Sequence, residues 1–329
     1  MKLITLEEHY LDRAVAQASA KNSRTLSPHF AAAYDAANGL PYSASVEALV
    51  DLGERRIADM DDHGITMQVL SALSAQDLPA ADSGLPQVTN NTLAAAVAEH
   101  PDRFAAFASL PTAAPAFAAD ELKRCVGELG MVGTLIHGRT EGQFLSHPRF
   151  DPILRALSEL DVPLYLHPGL PPRSVSDANY AGFSDIVSAR LETSAWGWHQ
   201  ETAVHFLNLV LSGVFDRYPE LVVILGHWGE MIPFFLDRIE ETLPQKITNL
   251  DRPISEYVRQ NTYVTPSGMF SQPQLQFCIE VMGADRIMYS VDYPFIGNER
   301  ATEFLESARI DDEVRKSIAH GTAEKLFRL

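Results

Sequence analysis

Eight short runs of apolar, β-branched residues punctuate the chain, at 2–8, 66–71, 104–109, 131–136, 162–167, 221–226, 262–265 and 286–291. Between most of them, apolar positions recur at helical spacing, over 46–63, 91–100, 116–129, 150–160, 200–215, 230–241 and 273–282. Alternating strand and helix predict an α/β protein with a parallel sheet and helical crossovers. The count of eight favours a closed (β/α)8 barrel over an open doubly wound sheet. No GxGxxG or GxxxxGK string follows the first run, which also counts against a nucleotide-binding sheet.

Two connections, 10–45 and 168–199, are too long for turns. They follow strands 1 and 5 at their C-terminal ends, the face on which barrel enzymes build their sites. The tail 311–329 reads as two short helices packed back on the barrel. No linker, low-complexity tract or repeat interrupts the pattern, so residues 1–329 are expected to form a single domain, a distorted (β/α)8 TIM barrel.

Composition narrows the classes. The 329 residues are 46% hydrophobic and 21% charged, and no apolar run is long enough to span a bilayer. A formal charge of -17 without a Lys/Arg run argues against nucleic acid or an anionic membrane as partner. An anionic substrate would need a metal or local cations to reverse the field inside the pocket. Two cysteines, Cys125 and Cys278, lack CxxC spacing, and no signal-like segment opens the chain, so a cytoplasmic location is expected.

Candidate chemistry sits where the apolar runs end. Glu7 and His9 share a strand face and Glu8 points the other way, which makes Glu7 and His9 the ligand pair over the alternative of a polar strand end. His167 ends VPLYLHPG and His227 ends LVVILGH, with Glu230 in the first turn of the helix after it. That His–Glu pair is a proton-relay candidate, or else a cap with a solvated acid. Asp292 ends RIMYSV, where a carboxylate needs a metal or cation to compensate burial. Glu7, His9, His167 and Asp292 together offer a mixed oxygen and nitrogen set suited to zinc, manganese or iron, with no thiolate to indicate a structural zinc. His63, His100, His147 and His320 read as surface residues and His205 as core, while Trp196 and Trp198 either roof a pocket or pack the second insertion.

Taken together, LEEH, RIADMDDHGITMQVLS, HPDRFAAFASLP, DVPLYLHPG, VHFLNLVLSGVFDRYPELVVILGHWGEMIPF and RIMYSVDYPF span nearly the whole chain. They resemble the branch of the amidohydrolase superfamily that holds the metal-dependent decarboxylases of γ-resorcylate, 2,3-dihydroxybenzoate, 5-carboxyvanillate and aminocarboxymuconate semialdehyde. The resemblance implies one divalent ion, Zn2+ or Mn2+, on Glu7, His9, His167 and Asp292, with His227 and Glu230 as the pair behind it. It implies non-oxidative decarboxylation of a hydroxybenzoate-type aromatic acid, with Asp292 protonating the ring carbon, Phe295 as an apolar wall, and a homodimer or homotetramer. Glu-x-His in the first strand matches the hydroxybenzoate group. Where close dihydroxybenzoate decarboxylases tend to carry asparagine after the fourth strand, this chain has His137-Gly138-Arg139, so His137 and Arg139 become substrate-binding candidates; Arg139 is either a cation for a second acidic group or an exposed loop residue. The same ligand set would serve an alternative, hydrolysis or hydration of a lactone, amide or unsaturated acid by metal-bound hydroxide.

Overall fold

The computed structural model describes residues 1–329. Seven of the apolar runs form strands: β1 (Ile4–Tyr10), β2 (Met67–Ala72), β3 (Phe104–Ala106), β4 (Thr134–His137), β5 (Leu164–His167), β6 (Val223–Leu225) and β7 (Thr262–Val264). All neighbours pair in parallel, β1-β2-β3 in one sheet and β4-β5-β6-β7 in the other. The eighth run forms no full strand. It enters through single bridges, Ile287 to Val264 and Ser290 to Leu6, and Ala108 to Thr134 closes the other seam. Backbone hydrogen bonds hold these seams, from Leu6 N to Tyr289 O (2.9 Å), Met288 N to Val264 O (3.0 Å) and Ala108 N to Gly133 O (2.8 Å). The ring is therefore complete and irregular, a distorted (β/α)8 barrel.

Alternate strand residues fill the ring. Ile4, Leu6, Val69, Ala105, Phe107, Leu135, Tyr165, Ile224 and Met288 form one buried cluster, with Ala323 and Phe327 of the C-terminal helix closing its N-terminal end. The complementary faces pack outward against the helices in a second, larger core. No helix is long and apolar enough to cross a membrane.

Local chemistry moves several predicted boundaries. The expected helix 46–63 is two, Val46–Val50 and Glu54–Asp62, because the Asp51 carboxylate turns the chain by accepting from Gly53 N (3.2 Å) and Arg56 N (2.7 Å). The expected helix 200–215 runs from Gly197 to Leu211 and breaks at Gly213, whose φ is 68°. The tail is continuous rather than two separate helices: Asp312–Lys316, a wide turn at Ser317–Gly321, then Thr322–Phe327.

Both long connections carry helices, Arg13–Leu26 and Phe30–Ala33 in the first, Arg173–Asn179 and Asp185–Glu192 in the second. Helix Phe30–Ala33 lies on Asp185–Glu192. Arg190 sews the two together, donating to Ala33 O (2.9 Å), Pro41 O (2.9 Å) and Ser43 Oγ (3.3 Å).

Candidate metal centre and proton-handling pair

Strict alternation along β1 would put Ile4 and Leu6 on one face and Glu7 and His9 on the other. A bulge between Thr5 and Glu8 removes the conflict: the register slips by one residue and Glu7 takes φ 64°. Apolar side chains thus fill the barrel floor while Glu7 and His9 enter the space above it. Glu8 does point away from them, but it is no solvated strand end. Its buried carboxylate accepts from Val291 N (3.1 Å) and Tyr293 N (3.0 Å), gripping the turn that presents Asp292. Asp292 itself has φ 72°.

Glu7, His9, His167 and Asp292 offer donor atoms that all lie within 4.8 Å of one another. His9 Nε2 is 3.1 Å from Asp292 Oδ1, and His167 Nε2 is 3.2 Å from Glu7 Oε1. The latter approach lacks the direction of a hydrogen bond, and buried Oε1 has no other partner. An oxygen and an imidazole nitrogen aimed past each other at a common point fit a shared cation. The outward atoms of His9, His167 and Glu7 are tied from behind, as is usual for metal ligands. Ser71 Oγ meets His9 Nδ1 (3.1 Å), the Pro168 carbonyl meets His167 Nδ1 (2.8 Å), and Tyr165 (2.5 Å) and Ser267 donate hydroxyls to Glu7 Oε2. Room for that cradle depends on Gly226, where a Cβ would stand 2.6 Å from Ser267 Oγ and 3.2 Å from Glu7 Oε1.

The electrostatics separate the two carboxyls. Burial works against ionisation of Glu7, but the adjacent His167, then His227 and His9, bring it down to about 2. Asp292 is pushed well above the usual carboxylate range, by burial first and then by the charges of Glu7 and Glu8. Without a cation, then, Asp292 holds the proton and Glu7 the charge. Burial, reinforced by His167, holds His9 well below its ordinary value, in the neutral form a metal needs.

His227 lies beside this cluster, its ring 6.4 Å from that of His167. Glu230 is not in the first turn of the following helix, which begins at Ile232. Residues His227, Trp228, Gly229, Glu230 and Met231 all have positive φ, a left-handed turn that folds the Glu230 carboxylate back to His227 Nδ1 at 2.8 Å. The turn is held by Trp228 N to Thr265 O (2.8 Å), His227 N to Ser267 Oγ (3.0 Å) and Trp228 Nε1 to Met269 O (2.8 Å). Sequence reasoning missed a second imidazole on the same carboxylate: His199 Nδ1 lies 2.8 Å from Glu230 Oε2. His199, His227 and Glu230 also converge closely enough to hold an ion, yet both imidazoles are already bonded to the carboxylate. Burial opposes ionisation of Glu230, but His227 and His199 lower it below its ordinary value. The only hint in the sequence was the aromatic string WGWHQ where the second insertion ends.

The other candidates divide. The Phe295 ring stands edge-on to His9, centroids 5.6 Å apart. His137 pairs in register with His167 and their rings lie 4.5 Å apart, an approach permitted by Gly138 and Gly169, whose backbones nearly touch. His137 Nε2 is buried without a partner. Arg139 turns elsewhere: its guanidinium pairs with Glu201 (2.9 Å) and lies over Phe144 (3.7 Å), so it is neither a free loop residue nor an uncommitted cation. His205 is buried and accepts from Leu145 N (2.8 Å). Trp198 touches His199 through its indole N–H (3.1 Å), whereas Trp196 is exposed.

Comparison with known proteins points the same way. An amidohydrolase family model matches residues 29–329. The chain is 39% identical over 298 residues to a γ-resorcylate decarboxylase of a Polaromonas species, covering 85% of this chain and 89% of the relative. It superposes on the 5-carboxyvanillate decarboxylase of Sphingomonas paucimobilis with a TM-score of 0.90 at 30% identity, covering 100% and 99% of the two chains. A dihydroxybenzoic acid decarboxylase from Polaromonas, solved with manganese and the inhibitor 2-nitroresorcinol, gives a TM-score of 0.83 at 34% identity and covers 100% and 97%.

Proposed function

This chain belongs to the amidohydrolase family, and from that membership we propose that it is a metal-dependent carboxy-lyase that removes carbon dioxide from a hydroxybenzoate-type aromatic acid. The observation that carries the reading is the convergence of Glu7, His9, His167 and Asp292 around an unpartnered, buried Glu7 Oε1. These four residues would hold one divalent ion, manganese or zinc. A bound cation supplies the positive charge that lets a substrate carboxylate and its ortho hydroxyl enter an acidic protein.

The protein's own groups then divide the work. Phe295, beside the His9 ring, sets an apolar wall for the substrate ring. Asp292, when it carries a proton, donates it to the ring carbon bearing the carboxylate. The ring loses aromaticity. The carbon–carbon bond to the carboxylate breaks, its electron pair returns to the ring, and carbon dioxide leaves. One proton is consumed per turnover, so the Asp292 carboxylate must be reloaded, and His227, oriented by Glu230 and beside the ligand His167, is the group we assign to that supply. Hydrolysis or hydration would use the same ligands, but the relatives reported above are decarboxylases.

Assay of manganese- and zinc-loaded enzyme against a hydroxybenzoate panel tests the proposal. Release of carbon dioxide, with deuterium appearing at the vacated ring carbon in D2O, supports it. Turnover of lactones without carbon dioxide release from any aromatic acid refutes it. The reading extends to a cytoplasmic homodimer or homotetramer, supported by two buried free thiols and by exposed Phe234 (70%) and Phe235 (46%). Sedimentation as a monomer at micromolar concentration would remove the oligomer from it.

A further inference from the structure

The left-handed turn at His227–Glu230 places a buried carboxylate between two imidazoles, and the function above uses only one of them. His199 opens the helix Gly197–Leu211 at the end of the second insertion, and its ring lies 4.3 Å from that of His227. Its Nδ1 occupies Glu230 Oε2 (2.8 Å) while His227 Nδ1 occupies Oε1 (2.8 Å). Each carboxylate oxygen thus has one imidazole partner, and the plane of Glu230 is set by both.

The far edge of the His199 ring is held in either protonation state. Nε2 stands 3.0 Å from the Ser194 carbonyl and 3.1 Å from the Trp198 indole nitrogen. A protonated Nε2 donates to Ser194 O, and an unprotonated one accepts from Trp198 Nε1. In both cases Nδ1–H remains on Glu230, so the ring need not turn when it gains or loses a proton. Glu230, beside it, raises His199 above the ordinary imidazole value against the opposing effect of burial. Ser194 is anchored in turn by the first insertion: the Tyr34 hydroxyl meets Ser194 Oγ (2.6 Å) and Thr193 Oγ1 (2.5 Å) and accepts from Ser194 N (3.3 Å).

We propose that His199 is a positioning residue for the decarboxylation: it fixes the Glu230 carboxylate, and through it the ring of His227, and it is itself fixed by the Tyr34–Ser194 contact between the two insertions. The inference rests on the assigned role of His227 and Glu230. It adds that the insertions shape the proton-handling pair as well as the mouth of the pocket.

The test uses the full-length, zinc-loaded enzyme with His199→Ala, His199→Asn, Tyr34→Phe and the double variant Tyr34→Phe/His199→Ala. A misplaced acid–base group costs up to about 100-fold. His199→Ala is expected to lower kcat roughly 10- to 100-fold with KM little changed. His199→Asn keeps an N–H donor for Glu230 and should recover much of the loss. Tyr34→Phe should lower kcat in the wild-type background and have no further effect in the His199→Ala background. Independently of turnover, proton NMR of 15N-histidine-labelled protein should show a downfield His227 Nδ1–H signal in wild type and His199→Asn that broadens or disappears in His199→Ala. An unchanged signal and unchanged kcat in His199→Ala, or additive losses in the double variant, would overturn the proposal. If wild type releases no carbon dioxide from any acid, the decarboxylase reading fails while the NMR comparison still decides whether His199 holds the pair. Should His199→Ala not fold, His199→Asn and Tyr34→Phe carry the test: full kcat and signal in Tyr34→Phe refutes the anchor.

Discussion

Replacing Tyr165 with phenylalanine would remove one oxygen from beneath the metal centre and leave the packing intact. The ring stays in the barrel interior against Phe107, centroids 5.9 Å apart. What disappears is the hydroxyl 2.5 Å from Glu7 Oε2 and 2.9 Å from Thr265 Oγ1. A hydrogen bond to a charged group contributes about 1.5–3 kcal/mol. Ser267 still donates to the same oxygen, which places the loss near the lower end, about 1.5–2 kcal/mol. With an unfolding entropy of ~2.1 cal/mol/K per residue, a chain of this length loses about 2–3 °C in Tm at pH 7 when metal-free. The pH dependence has a definite sign. The Glu7 carboxyl is held at about 2 against an ordinary 4.5, so its stabilisation is fully present above 4.5 and is lost as pH falls toward 2. Loss of the phenol donor moves the folded value upward, while His167, His227 and His9 still hold it below the ordinary one. The Tm gap between variant and wild type should therefore be full at pH 7 and narrow as the pH falls from 4.5 toward 2. At pH 7 Glu7 stays ionised in both proteins, so manganese affinity should drop only about tenfold, through orientation and not proton competition. Thermal melts of the metal-free proteins between pH 3 and 7, with a chelator-competition titration, read all of this. Equal Tm at pH 7, or a gap that widens in acid, would show that the phenol does not hold Glu7 ionised.

Three further outcomes follow from the same geometry. Asp292→Asn keeps the shape of the turn gripped by Glu8 but has no acidic proton, so circular dichroism should be unchanged while carbon dioxide release falls about 10²- to 10⁴-fold; near wild-type turnover would remove Asp292 from the mechanism. Fully buried Arg56 donates to His9 O (2.6 Å) and lies over Tyr293 (4.9 Å) near the buried Glu8 carboxyl, so Arg56→Ala removes hydrogen bonds from a charged donor and should cost about 1.5–3 kcal/mol by urea titration and lower metal occupancy as well. A loss below about 1 kcal/mol would mean that the guanidinium supports neither ligand turn. Chelation should abolish turnover and manganese or zinc should restore it, whereas activity that survives complete metal removal by elemental analysis would refute the metal assignment.

Much of the architecture was readable from the chain because short apolar, β-branched runs, alternating with segments of helical spacing, leave few ways to bury both faces of a sheet. The same pattern located Glu7, His9, His167, His227 and Asp292, polar groups at the ends of runs that otherwise exclude them. Strand alternation separated Glu8 from its neighbours correctly. It could not reveal that a bulge lets Leu6 and Glu7 both face inward, because a bulge depends on the partner strand and leaves no mark in local hydrophobicity. Helical spacing after His227 suggested an immediate helix, and the chain instead makes a left-handed turn, held by hydrogen bonds to Thr265, Ser267 and Met269 more than 35 residues away.

The sequence by itself determined the fold class and the residue types of the centre, since burial pattern and ligand chemistry are properties of short segments. Tertiary structure alone decided which second neighbour each group meets. Tyr165 and Ser267 on Glu7, Glu8 behind Asp292, His199 across Glu230, and Glu201 on Arg139 are contacts between elements far apart in the chain. Those contacts set charge and orientation in a largely buried space, and the residues supplying them look ordinary until the barrel closes.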